Sequence, residues 1–244
     1  MDLSETQAYA AFLGTRREEL LERIAQAAKR AGREPSEVTL LAVSKTVDVP
    51  QVLAACEVGY EVFGENRPQE LVRKVNALRG SKNVRFDMIG NLQTNKINKV
   101  LGHATLVHSV TSLHLAEAIS SRAAARGVSV QCLLEVNVSG EESKSGMSVS
   151  EAELCVSKIG DLPNVVVEGL MTMAPAGKAG EARRAFAGLR ELRDELRAKV
   201  GMELPVLSCG MSDDFEIAIE EGSTLVRLGR VVFDPSYGDA GQLR

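Results

Sequence analysis

Residues 39–50 read TLLAVSKTVDVP, and the change of character within this stretch governs how the rest of the chain is read. Residues 39–43 form a short apolar run, which predicts a strand buried on both faces. Asp48-Val49-Pro50 then supplies a capping residue and a proline for a first helical turn, predicting a helix that Gly59 closes. Between the two lies Ser44-Lys45, a charge placed where a buried strand ends.

Working outward, the same alternation recurs. Residues 4–31 predict a leading helix, in which Leu20, Leu21, Ile24, Ala28 and Ala31 form an apolar stripe and Gly32 ends it. Further strands are expected at 60–63, 85–89, 106–109, 130–136, 165–171, 206–209 and 224–228. Helices fill the gaps: Arg67-Pro68 opens one that Gly80 closes, and Thr111-Ser112 opens one that Gly127 closes. In 178–200, Ala185, Leu189, Leu192 and Leu196 share a face ahead of Gly201. Eight strand–helix repeats in 244 residues predict an α/β chain folded as a (β/α)8 TIM barrel. An open doubly wound sheet would have fewer strands and a glycine-rich first turn, where this chain has SKTVD. The expected organisation is a single domain over 1–244: leading helix 4–31, barrel 39–233 and polar tail 234–244.

Composition narrows the partners. Apolar residues make up 44% and charged residues 25%, ordinary for a soluble domain. The 29 basic and 33 acidic side chains leave a net charge of −4, which gives no broad attraction to nucleic acid or an anionic membrane. No apolar run is long enough to span a bilayer, and the start MDLSETQAYAAFLG does not read as a secretory signal, so a cytoplasmic location is expected. Cys56, Cys132, Cys155 and Cys209 show no CxxC pair, and His103, His108 and His114 have no metal-ligand spacing, so no metal is assigned.

In such barrels chemistry gathers where strands run into helices. Lys45 stands at the first of these ends, sharing a face with Leu41 and Val43 by alternation. Two readings stand at this point: a stem lying along the strand with its ammonium in water, or a desolvated amine that attacks a carbonyl and forms a Schiff base. Arg227 sits inside the apolar run LVRLG, facing the barrel centre if Val226 and Leu228 pack outward. Its donors then need acceptors, and an ion pair with Glu135 or Glu168 is one structural answer. The junction SCGMSDD (208–214) places Ser212 as a natural N-cap, and together with LGR (228–230) it lies where barrels bind phosphate. Asp213 and Asp214 suit the positive end of the helix dipole and are expected to point away from a bound phosphate, which they would repel.

At this point the chain resembles the pyridoxal phosphate homeostasis protein family, single barrels similar to the alanine racemase N-terminal domain. The matching stretches are LLAVSKT (40–46), FGEN (63–66), IGNLQTNK (89–96), SKSGM (143–147), GLMTM (169–173), GMSDD (210–214) and STLVRLG (223–229). The resemblance implies pyridoxal 5′-phosphate held covalently by Lys45, with Arg227 donating to the pyridine nitrogen. It implies that Met211, Ser212, Gly229 and Arg230 hold the phosphate and that Asn66 lines the ring pocket. Family members often have a small hydroxyl residue at position 230, a histidine near Asp87 and a proline or histidine near Asn91.

An arginine at the pyridine nitrogen weakens the cofactor as an electron sink, and racemisation needs a second acid/base opposite Lys45. Tyr9, Tyr60 and Tyr237 are not convincing candidates for it, because two lie near the termini and Tyr60 begins a strand. The expectation is therefore a monomeric carrier of the cofactor, supplying apo-enzymes and serving vitamin B6 homeostasis, rather than a catalyst. The alternatives are a weak racemase or related enzyme, with substrate contacts from loops 91–96 and 139–147, and a cofactor-free Schiff-base lyase.

Overall fold

The short apolar runs do form strands, and they close on themselves. In the computed structural model, which describes residues 3–81, 83–141 and 144–237, the strands are β1 Thr39–Val43, β2 Val62–Glu65, β3 Arg85–Met88, β4 Leu106–Val110, β5 Val130–Glu135, β6 Val165–Met171, β7 Val206–Ser208 and β8 Leu225–Leu228. They pair in chain order, all parallel, and β8 pairs with β1 to complete the barrel. Glu142 and Ser143 of the 139–147 loop, and 238–244 of the expected tail, lie outside the described residues.

The helices are α1 Leu3–Arg30, α2 Val49–Glu57, α3 Pro68–Ala77, α4 Ile97–Val100, α5 Leu113–Arg126, α6 Val149–Gly160, α7 Ala179–Val200, α8 Phe215–Glu220 and α9 Arg230–Phe233. Their ends follow local chemistry. Asp48 caps α2 with Pro50 in its first turn, the Ser112 hydroxyl accepts from the Leu115 N–H ahead of α5, and Gly127 and Gly201 take the left-handed conformation that ends α5 and α7. The leading helix α1 packs across α2, α8 and α9. Arg23 reaches Glu216 on α8, Arg30 reaches both Glu216 and Glu220, and Arg183 of α7 pairs with Glu220 and with Glu221 just past the helix. Among the described residues no helix is long and apolar enough to cross a membrane.

Alternation sorts each strand into two faces. Leu41, Val43 and Leu225 cluster inside the barrel, as do Leu106, Leu133 and Met171. Ala42, Phe63, Phe86 and Leu228 join the larger core between barrel and helices, where Phe63 and Phe86 stack at 5.3 Å. The second strand is a correction to the sequence reading: it runs over 62–65, not 60–63. Gly64 permits this, because a Cβ there would stand 2.5 Å from Leu41 Cδ2 in the barrel interior. Tyr60 therefore precedes the strand, and Glu65 belongs to it rather than to the loop.

Candidate functional site

The strand ends form a mouth with a polar floor. Asp87 of β3, His108 of β4, Glu135 of β5, Ser208 of β7 and Arg227 of β8 are all buried. Arg227 Nη1 donates to the Ser208 carbonyl at 2.8 Å and to Ser208 Oγ at 2.7 Å, and Nη2 donates to the Thr172 carbonyl at 3.1 Å. The remaining two of its five N–H donors have no hydrogen bond among the described residues. Because a guanidinium only donates, Ser208 Oγ must accept from it, leaving the hydroxyl proton for His108 Nδ1 at 3.0 Å. That assigns the proton on His108 to Nε2, which donates to Asp87 Oδ2 at 3.2 Å. Burial holds the His108 pKa below its usual value, against the pull of Asp87, in keeping with a neutral ring.

The ion pair offered as one answer for Arg227 is absent among the described residues. Glu168 instead lines a cavity of about 320 Å³ at the opposite, strand-start end of the barrel. A register shift between β5 and β6 puts it there, at Gly169, where a Cβ would meet the Val206 carbonyl oxygen at 1.9 Å. Glu135 does end β5 in the buried floor, but its carboxylate hydrogen-bonds the Ser145 hydroxyl rather than Arg227. Burial pushes its pKa up, opposed by the Ser145 bond and the charge of Arg227.

Above the floor, Lys45 is exposed just past β1. Leu41 is the register partner of Arg227, so the guanidinium is rooted deeper in the barrel than the lysine. Asn66 is exposed in the loop after β2, packed so closely on Gly90 that a Cβ there would stand 2.3 Å from the Asn66 carbonyl oxygen. Asn91 is exposed beside it, and Asp87, read only as a departure from the family pattern, is part of the floor.

The loops after β7 and β8 come together, though not as expected. Asp214, not Ser212, is the N-cap of α8. Ser212 is buried, and its hydroxyl accepts from the Val231 N–H at 3.4 Å, which joins the loop after β7 to the start of α9. Asp214 accepts the Met211 N–H at 2.6 Å. Arg230 is paired with Asp213 at 2.7 Å and lies over the Tyr237 ring. Tyr237, assigned to a loose tail, packs from outside: its hydroxyl donates to Asp213 at 2.6 Å and lies 3.2 Å from the Ser212 carbonyl. Gly229 follows β8 directly, beside Val43.

Sequence reading missed Lys74 of α3. It is 1% exposed and donates to the Ser44 carbonyl at 2.7 Å, to the Val47 carbonyl at 2.8 Å and to Glu65 Oε1. The available signal was a lysine set among Leu71 and Leu78 on one helical stripe.

A closed parallel barrel with an amine at its rim and a buried guanidinium below defines a class of small-molecule site at strand C-termini. The profile of the family "Alanine racemase, N-terminal domain" matches residues 16–236. The "Pyridoxal phosphate homeostasis protein" of Aquifex aeolicus is 43% identical over 215 residues, covering 88% of this chain and 94% of its own. A crystal structure of an unknown protein from Bifidobacterium adolescentis superposes with a TM-score of 0.87 at 42% identity, over 96% of this chain and 97% of that one. PipY of Synechococcus elongatus, solved with PLP bound, gives 0.76 at 32% identity, over 86% and 99%. The chain belongs to the pyridoxal phosphate homeostasis protein family, within the group sharing the alanine racemase N-terminal domain.

Proposed function

We propose that this protein binds pyridoxal 5′-phosphate at the barrel mouth as a Schiff base on Lys45. In this reading it serves intracellular cofactor homeostasis, supplying apo-enzymes. The observation that carries the proposal is the pairing of an exposed rim amine with a buried guanidinium that keeps two donors free. This donor set fits an aromatic aldehyde bearing a ring nitrogen. Lys45 would supply the nucleophile and Arg227 would donate to the ring nitrogen, keeping it unprotonated. Asn66 would line the ring. Met211, Ser212, Gly229 and Arg230 would hold the phosphate, with the Met211 N–H exchanging Asp214 for the anion. When bound, the cofactor supplies an electrophilic aldehyde and a conjugated ring.

The neutral Lys45 amine would add to the aldehyde carbon, and loss of one water would leave a C=N bond. The test is borohydride reduction of protein incubated with the cofactor, followed by peptide mass spectrometry. A pyridoxyl phosphate group on Lys45 is expected; a protein that stays colourless and unlabelled refutes the proposal.

A second reading, a weak amino-acid racemase, rests on Glu135. This buried carboxyl with a raised pKa ends β5, which lies across the closed barrel from β1 and Lys45. Chirality assays on a panel of L-amino acids separate the two readings. Turnover well above that of free cofactor favours the enzyme, and its absence favours the carrier.

A further inference from the structure

Two lysines meet at the first strand end, and the structure treats them oppositely. Lys45 is exposed. Lys74, reaching across from α3, is sealed in the layer between barrel and helices with all three ammonium protons engaged: on the Ser44 carbonyl, the Val47 carbonyl and Glu65 Oε1. Glu65 Oε1 also accepts the Ser44 hydroxyl at 2.7 Å, and the Val47 N–H closes the turn on the Ser44 carbonyl at 3.1 Å. Ser44 and Val47 bracket Lys45 and Thr46. The turn that carries the amine is therefore held on both sides by one buried cation.

A buried ion pair is an expensive way to fill space, since apolar residues of the same volume serve packing as well or better. Here it binds two carbonyls of a turn whose own residues Lys45 and Thr46 are exposed. What the arrangement adds over an apolar filling is the geometry of that turn.

We infer that Lys74 and Glu65 are positioning residues for Lys45. They fix the 44–47 turn so that the Lys45 amine is presented to an aldehyde in the mouth, while Lys74, with every proton committed, is kept out of the reaction. This inference rests on the proposed role of Lys45, and the experiment separates the two.

The full-length protein, E65Q/K74M and S44A are each tested with two probes. Pyridoxal 5′-phosphate under borohydride trapping reports the rate of Lys45 labelling by peptide mass spectrometry. Pyridoxamine 5′-phosphate, which has no aldehyde, reports pocket affinity alone. In the wild-type protein Lys45 is labelled and Lys74 is not. In E65Q/K74M the Lys45 labelling rate is expected to fall at least tenfold, and in S44A about threefold, with pyridoxamine 5′-phosphate affinity within twofold of wild type in both. A purely structural role predicts parallel loss of both readouts, or loss of neither, and either result overturns the inference. If E65Q/K74M does not fold, S44A decides by the same comparison. Wild-type protein unlabelled at Lys45 would instead sink the reading of the site; labelling at unchanged rate in the variants would sink only the positioning role.

Discussion

Replacing Lys74 by methionine removes the cation and leaves Glu65 with a carboxylate that is 0% exposed and has no counter-charge. Stranding one partner of a buried pair costs about 3–5 kcal/mol. The Ser44 and Val47 carbonyls lose their Lys74 bonds as well. For a chain of 244 residues each kcal/mol lowers the melting temperature by about 2–4 °C, so K74M should melt roughly 6–20 °C below wild type. The second arm is E65Q/K74M. Glutamine can still accept the Ser44 hydroxyl and carries no charge, so the double variant should recover about 2–3 kcal/mol of the single variant's loss, retaining the cost of the two carbonyls. Urea unfolding at pH 7, with the unfolding slope checked for constancy, measures both. A double variant no more stable than K74M would show that Lys74 acts on the carbonyls alone and that the ion pair is incidental.

Other expectations follow from single contacts. Gly90→Ala puts a methyl 2.3 Å from the Asn66 carbonyl oxygen, so the loops after β2 and β3 must separate; a loss of about 1–3 kcal/mol in urea and weaker cofactor binding by equilibrium dialysis are expected. His108 has a lowered pKa in the fold, so its contribution to stability is fully present above the unfolded value of about 6.5 and is lost as pH falls from there through the folded value. H108Q should remove that slope, at most about 1.4 kcal/mol per pH unit, in unfolding measured between pH 7 and 5. R227M leaves the Thr172 carbonyl without its Arg227 donor and the Ser208 carbonyl with the Thr172 N–H alone, and removes the proposed ring-nitrogen donor, so cofactor affinity should fall at least tenfold in a fluorescence titration while the spectrum of bound cofactor changes.

Strand count and closure were readable in the sequence because short apolar runs bounded by turn residues recur at the spacing of βα units. The positions of Lys45 and Arg227 followed from the period of two along β1 and β8. The reading failed at two glycines, once in a strand's bounds and once in its register. Gly64 extended β2 past its apolar run, and Gly169 accompanied a shift that sent Glu168 to the wrong end for Arg227. Such effects depend on which atoms lie opposite a missing Cβ, and no local pattern carries that information. The Ser212 cap failed for a related reason. A hydroxyl near a helix start is free to cap it only if no better donor is close, and the fold brings up the Val231 N–H from the first turn of α9.

The buried charges show what kind of information the sequence lacks. Lys74 lies on the same stripe as Leu71 and Leu78, so hydropathy alone reads a tolerated lysine that snorkels to water. Glu65, read as a loop residue, gave no reason to think otherwise. Only when β2 is extended to residue 65 does its carboxylate share the outward face of Phe63 and meet α3 between the layers. One error of two residues at a strand end therefore hid both halves of the pair, and with them the hold on the Lys45 turn. The visible residues of this site are those that face the barrel interior, where alternation governs. The residues that aim them lie on the other face, where partners come from distant segments and the pairing is settled by the closed barrel.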